Sequence, residues 1–141
     1  MAGVAGGSGL DGPSTAARVT PGGFKAFEHQ WSLPEAFAFH RRIGPDRITS
    51  RTHALARQLK EGLARLPHVR LITPTDERLS AGIVCFDVEG MPPKKVVRRL
   101  QDRRIIATVT PHARMHARLT PSILNTESEI ERAVETVRGL T

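Results

Sequence analysis

The chain has 141 residues, 39% of them hydrophobic and 25% charged, enough for one domain with a packed core. No apolar run reaches the roughly 18 residues that cross a bilayer. The N-terminus lacks a basic region followed by an apolar one, so neither a membrane span nor a secretory leader is expected. The single cysteine, Cys85, excludes an internal disulfide and fits a reducing compartment, so a cytoplasmic location is expected.

Residues 1–22 are mostly Gly, Ala, Ser, Pro and Thr with little to bury, and read as a flexible leader. Residues 23–141 read as one folded domain. From Phe24 to Phe39 the chain turns apolar and aromatic, and Leu33-Pro34-Glu35 predicts a helix start, with proline in the first turn. His29 lies among these aromatics and reads as a core or interface histidine. Gly44-Pro45 ends the segment.

A second helix is predicted from Asp46 to Leu66. Ile48, Thr52, Leu55, Leu59, Leu63 and Leu66 recur at steps of three and four and form one apolar stripe. Lys60 falls among the residues assigned to the solvated face. Pro67 stops the helix, and Val69–Thr73 predicts a short strand. Ala81–Val88 is nearly continuous in apolar and β-branched residues, as in a strand buried on both faces. Cys85 at its centre reads as an inert core residue rather than a nucleophile.

A third helix spans Lys94–Asp102, with Val96, Val97 and Leu100 inward. Strands follow at Ile105–Val109 and Ala117–Leu119. Thr126 and Glu129 form a Thr-x-x-Glu capping box that starts the last helix, whose inward stripe is Ile130, Ala133, Val134 and Val137. Short strands covered by helices in this order predict an α+β two-layer sandwich of a small, mostly antiparallel sheet and helices.

The formal net charge is +7. The arginines fall in several predicted elements and no run of five like charges occurs, so they read as solvated helix faces, and no nucleic-acid partner is expected. His112 and His116 stand four apart, a spacing that two metal ligands on a helix share. Pro111 precedes them and no third ligand lies nearby, so no metal is expected; the segment reads as a loop leading into Arg118.

The stretch Arg118-Leu-Thr-Pro-Ser-Ile-Leu-Asn125-Thr126-Glu-Ser-Glu129-Ile resembles the closing motif of class V aminotransferases, Arg-x-Ser-(x)n-Tyr-Asn-Thr-x-x-Glu-Ile. Leu79–Phe86 is similar to that family's Ser-x-Ile-Val-Ser-Phe strand, and Val96–Ile105 to the helix and strand after it. The likeness is to a cysteine-desulfurase-like family, covers roughly Thr20 to Leu140, and is closest to that family's isopenicillin-N-epimerase-like and selenocysteine-lyase-like branch. Thr120 replaces the motif's serine and Leu124 its tyrosine.

The resemblance implies the C-terminal small domain of a fold-type I enzyme that uses pyridoxal 5′-phosphate, acts on an amino-acid-like substrate and forms a homodimer. It implies that Arg118 grips the substrate carboxylate, a task suited to a planar fork of donors. It also implies that Thr20, Gly22 and Gly23 approach the cofactor phosphate of a neighbouring subunit. The family's catalytic lysine, in a Ser/Thr-x-His/Trp-Lys segment, has no counterpart here: Lys25, Lys60, Lys94 and Lys95 all lie in other contexts. The chain alone is therefore expected to be inactive. The alternative is a stand-alone basic module that binds nucleic acid or a protein partner without catalysis.

Overall fold

The computed structural model describes residues 27–140; the leader 1–22 lies outside them. The chain divides into two compact units, one ending at Ala38 and one beginning at Phe39. Helix α1, Phe27–Ile43, runs across that boundary. Pro34 lies inside it rather than in its first turn. There the ring removes one intrahelical hydrogen bond and crowds the carbonyl four residues back, and the helix nonetheless extends to Phe27. His29 is exposed rather than in a core, and its carbonyl accepts a hydrogen bond from the Ser32 hydroxyl at 2.9 Å.

In the second unit, Gly44 makes the break between helices with φ of 98°, a conformation glycine adopts without a side-chain clash. Pro45 then opens α2, Pro45–Ala64, where its missing N–H costs nothing. Leu55, Ala56, Leu59 and Leu63 are buried along one face, as the period-3.6 stripe requires. The strands are β1 Val69–Leu71, β2 Val84–Val88, β3 Thr108–Val109 and β4 Ala117–Leu119. Between β2 and β3 runs α3, Pro93–Asp102, and after β4 comes α4, Glu127–Arg138.

The sheet has the order β1-β2-β4-β3, and every pairing is antiparallel. Helices α2, α3 and α4 contribute to a single apolar cluster against one sheet face, which is the α+β two-layer sandwich expected. Val84, Phe86 and Val88 of β2 point into that cluster, while Cys85 and Asp87 between them are only half-buried. The strand is thus covered on one face, not two. An apolar sequence cannot by itself reveal which face a neighbour covers. β3 is also shorter than expected, because Ile105 to Ala107 closes α3 before pairing begins.

That closure is a Schellman motif. The Ile105 N–H reaches the Leu100 carbonyl at 3.0 Å and the Arg104 N–H reaches the Gln101 carbonyl at 2.8 Å. Arg104 takes the left-handed position, φ 58°, where glycine is the usual occupant. At the start of α4 the capping box forms as expected: the Glu129 N–H donates to Thr126 Oγ1 at 3.3 Å and the Thr126 N–H to Glu129 Oε2 at 2.9 Å.

Helices α2 and α4 pack tightly at Gly62. A Cβ there would lie 2.7 Å from Val134 Cγ2 and 3.1 Å from Cγ1. Val134 is buried and β-branched, and in a helix such a side chain strongly prefers one rotamer, so it yields only at a cost. Alanine gains about 1 kcal/mol of helix propensity over glycine, but overpacking costs about 1–3 kcal/mol. Gly62→Ala is therefore expected to lower the midpoint of denaturant unfolding. A raised midpoint would mean that the helices can separate freely.

Candidate functional site

Residues that alternate with the core positions of the sheet share its other face, which no described helix of residues 45–140 covers. Strand register sets them in rows. Arg118, at the centre of β4, stands opposite Cys85 of β2 on one side and Thr108 of β3 on the other. Its Nε donates to Thr108 Oγ1 at 2.9 Å. This bond fixes the plane of the guanidinium and leaves both Nη groups without a hydrogen-bond partner among the described residues. Cys85 is half-buried on this open face rather than sealed in the core. The reason is again that β2 has one covered face.

The next row is polar and fully connected. Asp87 faces Arg70 across the β1–β2 ladder. Arg70 Nη2 donates to Asp87 Oδ2 at 2.7 Å, and His116 Nδ1 lies 2.8 Å from Asp87 Oδ1. Burial works to raise the Asp87 carboxyl, but the hydrogen bonds from His116 and Arg70 outweigh it and leave it below its ordinary value. The ionised carboxylate can only accept, so Nδ1 of His116 carries a proton, and in the neutral ring Nε2 is the acceptor. This row was not anticipated from the sequence. Its members lie 17 and 29 residues apart and meet only through strand register.

His112 and His116 do not share a helical face. The intervening segment is a loop closed by Thr110, whose N–H donates to the His116 carbonyl at 3.0 Å and whose Oγ1 accepts the His116 N–H at 3.0 Å. No group of three or more metal-ligating side chains occurs among the described residues.

The segment after β4 is tied to α2. Arg51 donates to the Asn125 carbonyl at 2.9 Å and also binds the Glu127 carboxylate. That hydrogen bond holds the Glu127 carboxyl down to about 2. Gly82 allows the same region to close up: a Cβ there would meet Thr52 Cγ2 at 2.7 Å and the Pro121 carbonyl at 2.9 Å. The Asn125-Thr126-Glu129 part of the closing motif is thus architectural, whereas Arg118 projects from the open sheet face. A cleft of about 340 Å³ lies beyond it, lined by Leu119, Thr120, Asn125 and Arg132 among others, and Arg118 does not line it.

Lys60 is the largest departure from expectation. It is 2% exposed rather than solvated. Its ammonium meets the Pro74 carbonyl at 3.2 Å, the Thr75 carbonyl at 3.0 Å and Ser80 Oγ at 2.8 Å, which uses its three protons. Thr20, Gly22 and Gly23 lie outside the described residues, as does Lys25. No helix among the described residues is long and apolar enough to cross a membrane.

A model of the aminotransferase class-V family matches residues 21–132. Among solved structures, the apo cysteine desulfurase of Thermococcus onnurineus NA1 is similar at 25% identity and a TM-score of 0.76, covering 85% of this chain and 32% of that one. The cystine C-S lyase C-DES, in complex with its reaction product cysteine persulfide, is similar at 22% identity and a TM-score of 0.70, over 83% of this chain and 30% of that one. A C-DES mutant with glycine covalently linked to its PLP cofactor is similar at 22% identity and a TM-score of 0.69, over 84% and 31%. The chain spans about a third of the length of these proteins. A search of curated proteins finds no match.

Proposed function

Because the chain belongs to the class-V aminotransferase family, we propose that residues 23–141 are the C-terminal small domain of a pyridoxal-phosphate enzyme, in which Arg118 binds the carboxylate of an amino-acid substrate. The observation that carries this reading is the state of the Arg118 side chain. It is half-buried, anchored through Nε to Thr108, and presents two Nη groups without partners among the described residues on an otherwise open sheet face. A fork held at its base and free at its tips is ready to accept a carboxylate through two parallel hydrogen bonds.

The described residues do not fit the cofactor's covalent anchor. Imine formation needs a lysine amine that an aldehyde can reach. Lys60 is enclosed with all its protons engaged, and Lys94 and Lys95, though reachable, stand on α3, which packs on the sheet face opposite Arg118. The anchoring lysine therefore belongs to the remainder of the enzyme in this proposal. That remainder covers the open sheet face, which accounts for the nearly unbroken apolar run of β2. A cytoplasmic homodimer, with Thr20, Gly22 and Gly23 approaching the neighbouring subunit's phosphate, completes the proposal.

The test mixes the chain alone with pyridoxal phosphate and amino acids, beside a longer product that includes the upstream sequence. The expected result is no aldimine absorbance and no transamination from the chain alone, and both from the longer product. Turnover by the purified chain, or an upstream sequence without Ser/Thr-x-His/Trp-Lys, overturns the assignment.

A further inference from the structure

Positive charge is concentrated at α3. Residues 94–104 hold six cations and one acid, Asp102, a net of +5 within a chain of +7. Lys94, Lys95, Arg98 and Arg99 are exposed on the helix, Arg103 at its C-cap, and Arg132 beside it on α4. None of these six forms a salt bridge with a described residue. Elsewhere Arg51, Arg57, Arg65, Arg70, Arg78 and Arg138 each have an acidic partner. A cleft of about 510 Å³ is lined by Lys95, Arg99, Arg103 and Arg132, and a smaller one of about 230 Å³ by Lys95, Arg98, Arg99 and Asp102. The two share three residues, so the cations form one continuous concave surface. Glu135, the other acid lining it, pairs with Arg138 at 2.9 Å.

Local stability does not explain this arrangement. Lys94 and Arg98, Lys95 and Arg99, and Arg99 and Arg103 are like charges four apart, a spacing that is repulsive on a helix. The first turn holds no acid to complement the helix dipole. A bound polyanion would relieve this repulsion.

We propose that the outward face of α3, with Arg103 and Arg132 beside it, binds the phosphate backbone of double-stranded nucleic acid without reading its sequence. From Lys95 to Arg103 the helix advances about 12 Å, facing about three or four phosphates of one strand. Arginine forks suit phosphate oxygens in pairs. The surface holds no aromatic side chain, so it has no platform for stacking unpaired bases. It also lacks the apolar, charge-depleted centre that a protein partner would bury. Arg118 is no part of it, and the inference stands apart from the carboxylate reading.

The experiment measures binding of the full chain to mixed-sequence duplex RNA and duplex DNA across salt from about 50 to 200 mM. Affinity is expected to fall steeply with salt, with a log–log slope of about −3, one contact contributing close to −0.9. K95Q/R98Q/R99Q should cut the slope by more than half, leaving only what Arg103 and Arg132 contribute. R41Q/R47Q/R114Q removes the same charge from three other segments and should leave the slope almost unchanged. If the first triple variant melts abnormally, R99Q alone should still reduce the slope by about one. Preference for one duplex identifies the source of the backbone. Absence of binding at low salt overturns the proposal. So does equal loss in the two triple variants, or poly-glutamate binding as tightly as duplex, which would make the surface one for acidic protein.

Discussion

Lys60→Met lowers the stability of the chain by about 2–3 kcal/mol, the scale of hydrogen bonds from a charged donor. The substitution keeps the length and much of the volume of the side chain. What it removes is the ammonium that gathers the Pro74 and Thr75 carbonyls and Ser80 Oγ. Ser80 also donates toward the Pro74 carbonyl at 2.9 Å, so part of the turn persists, and the loss stays below three separate bonds. The charge contributes as well: it helps to hold the Asp76 and Glu77 carboxyls low, after their stronger bonds to Arg78 and Arg57. For a domain of this size the melting temperature should fall by roughly 10 °C or more. Thermal unfolding measures this, and amide exchange should show residues 74–80 opening before the helices. A change below about 0.5 kcal/mol would mean that the buried ammonium is replaceable by packing alone.

The burial of Lys60, against the expectation of a solvated side chain, has a definite cause. The evident stripe of α2 runs through its leucines, and Lys60 lies at its edge. Yet Ala56 stands four residues before it and Leu63 three after, so Lys60 belongs to the buried row they define. That signal is present locally. Its acceptors are not, because they sit 14 to 20 residues downstream in a polar connection with no periodicity. The element order and the Thr126–Glu129 box were legible because each depends on neighbours within a few residues. The row of Arg70, Asp87 and His116 was not, since a slip of one residue in register would remove it. The sheet face on which Arg118 sits was likewise invisible. Alternation assigns Cys85, Asp87 and Arg118 to one side, but the apolar run from Ala81 masked which side the helices cover.

In the complete enzyme proposed above, Arg118→Lys should weaken amino-acid binding roughly ten- to hundredfold, the equivalent of losing a charge-assisted hydrogen bond of about 1.5–3 kcal/mol. Lysine preserves the charge, so the effect isolates geometry: one rotatable ammonium cannot make two parallel bonds to a carboxylate. It also loses the Nε bond to Thr108, so its head group is no longer aimed. Folding should change little, because Arg118 belongs to the half-buried face and Ala117 and Leu119 on either side supply the core contacts of β4. Cofactor affinity should be unchanged, since nothing in the proposal places Arg118 against the phosphate or the ring. Thr108→Val makes the complementary change by removing the anchor and keeping the fork, and should produce a smaller loss in the same direction. Substrate titration and thermal unfolding separate the possibilities. Unfolding of Arg118→Lys, or an unaltered substrate affinity, would make Arg118 a structural arginine and remove the central residue of the proposed site.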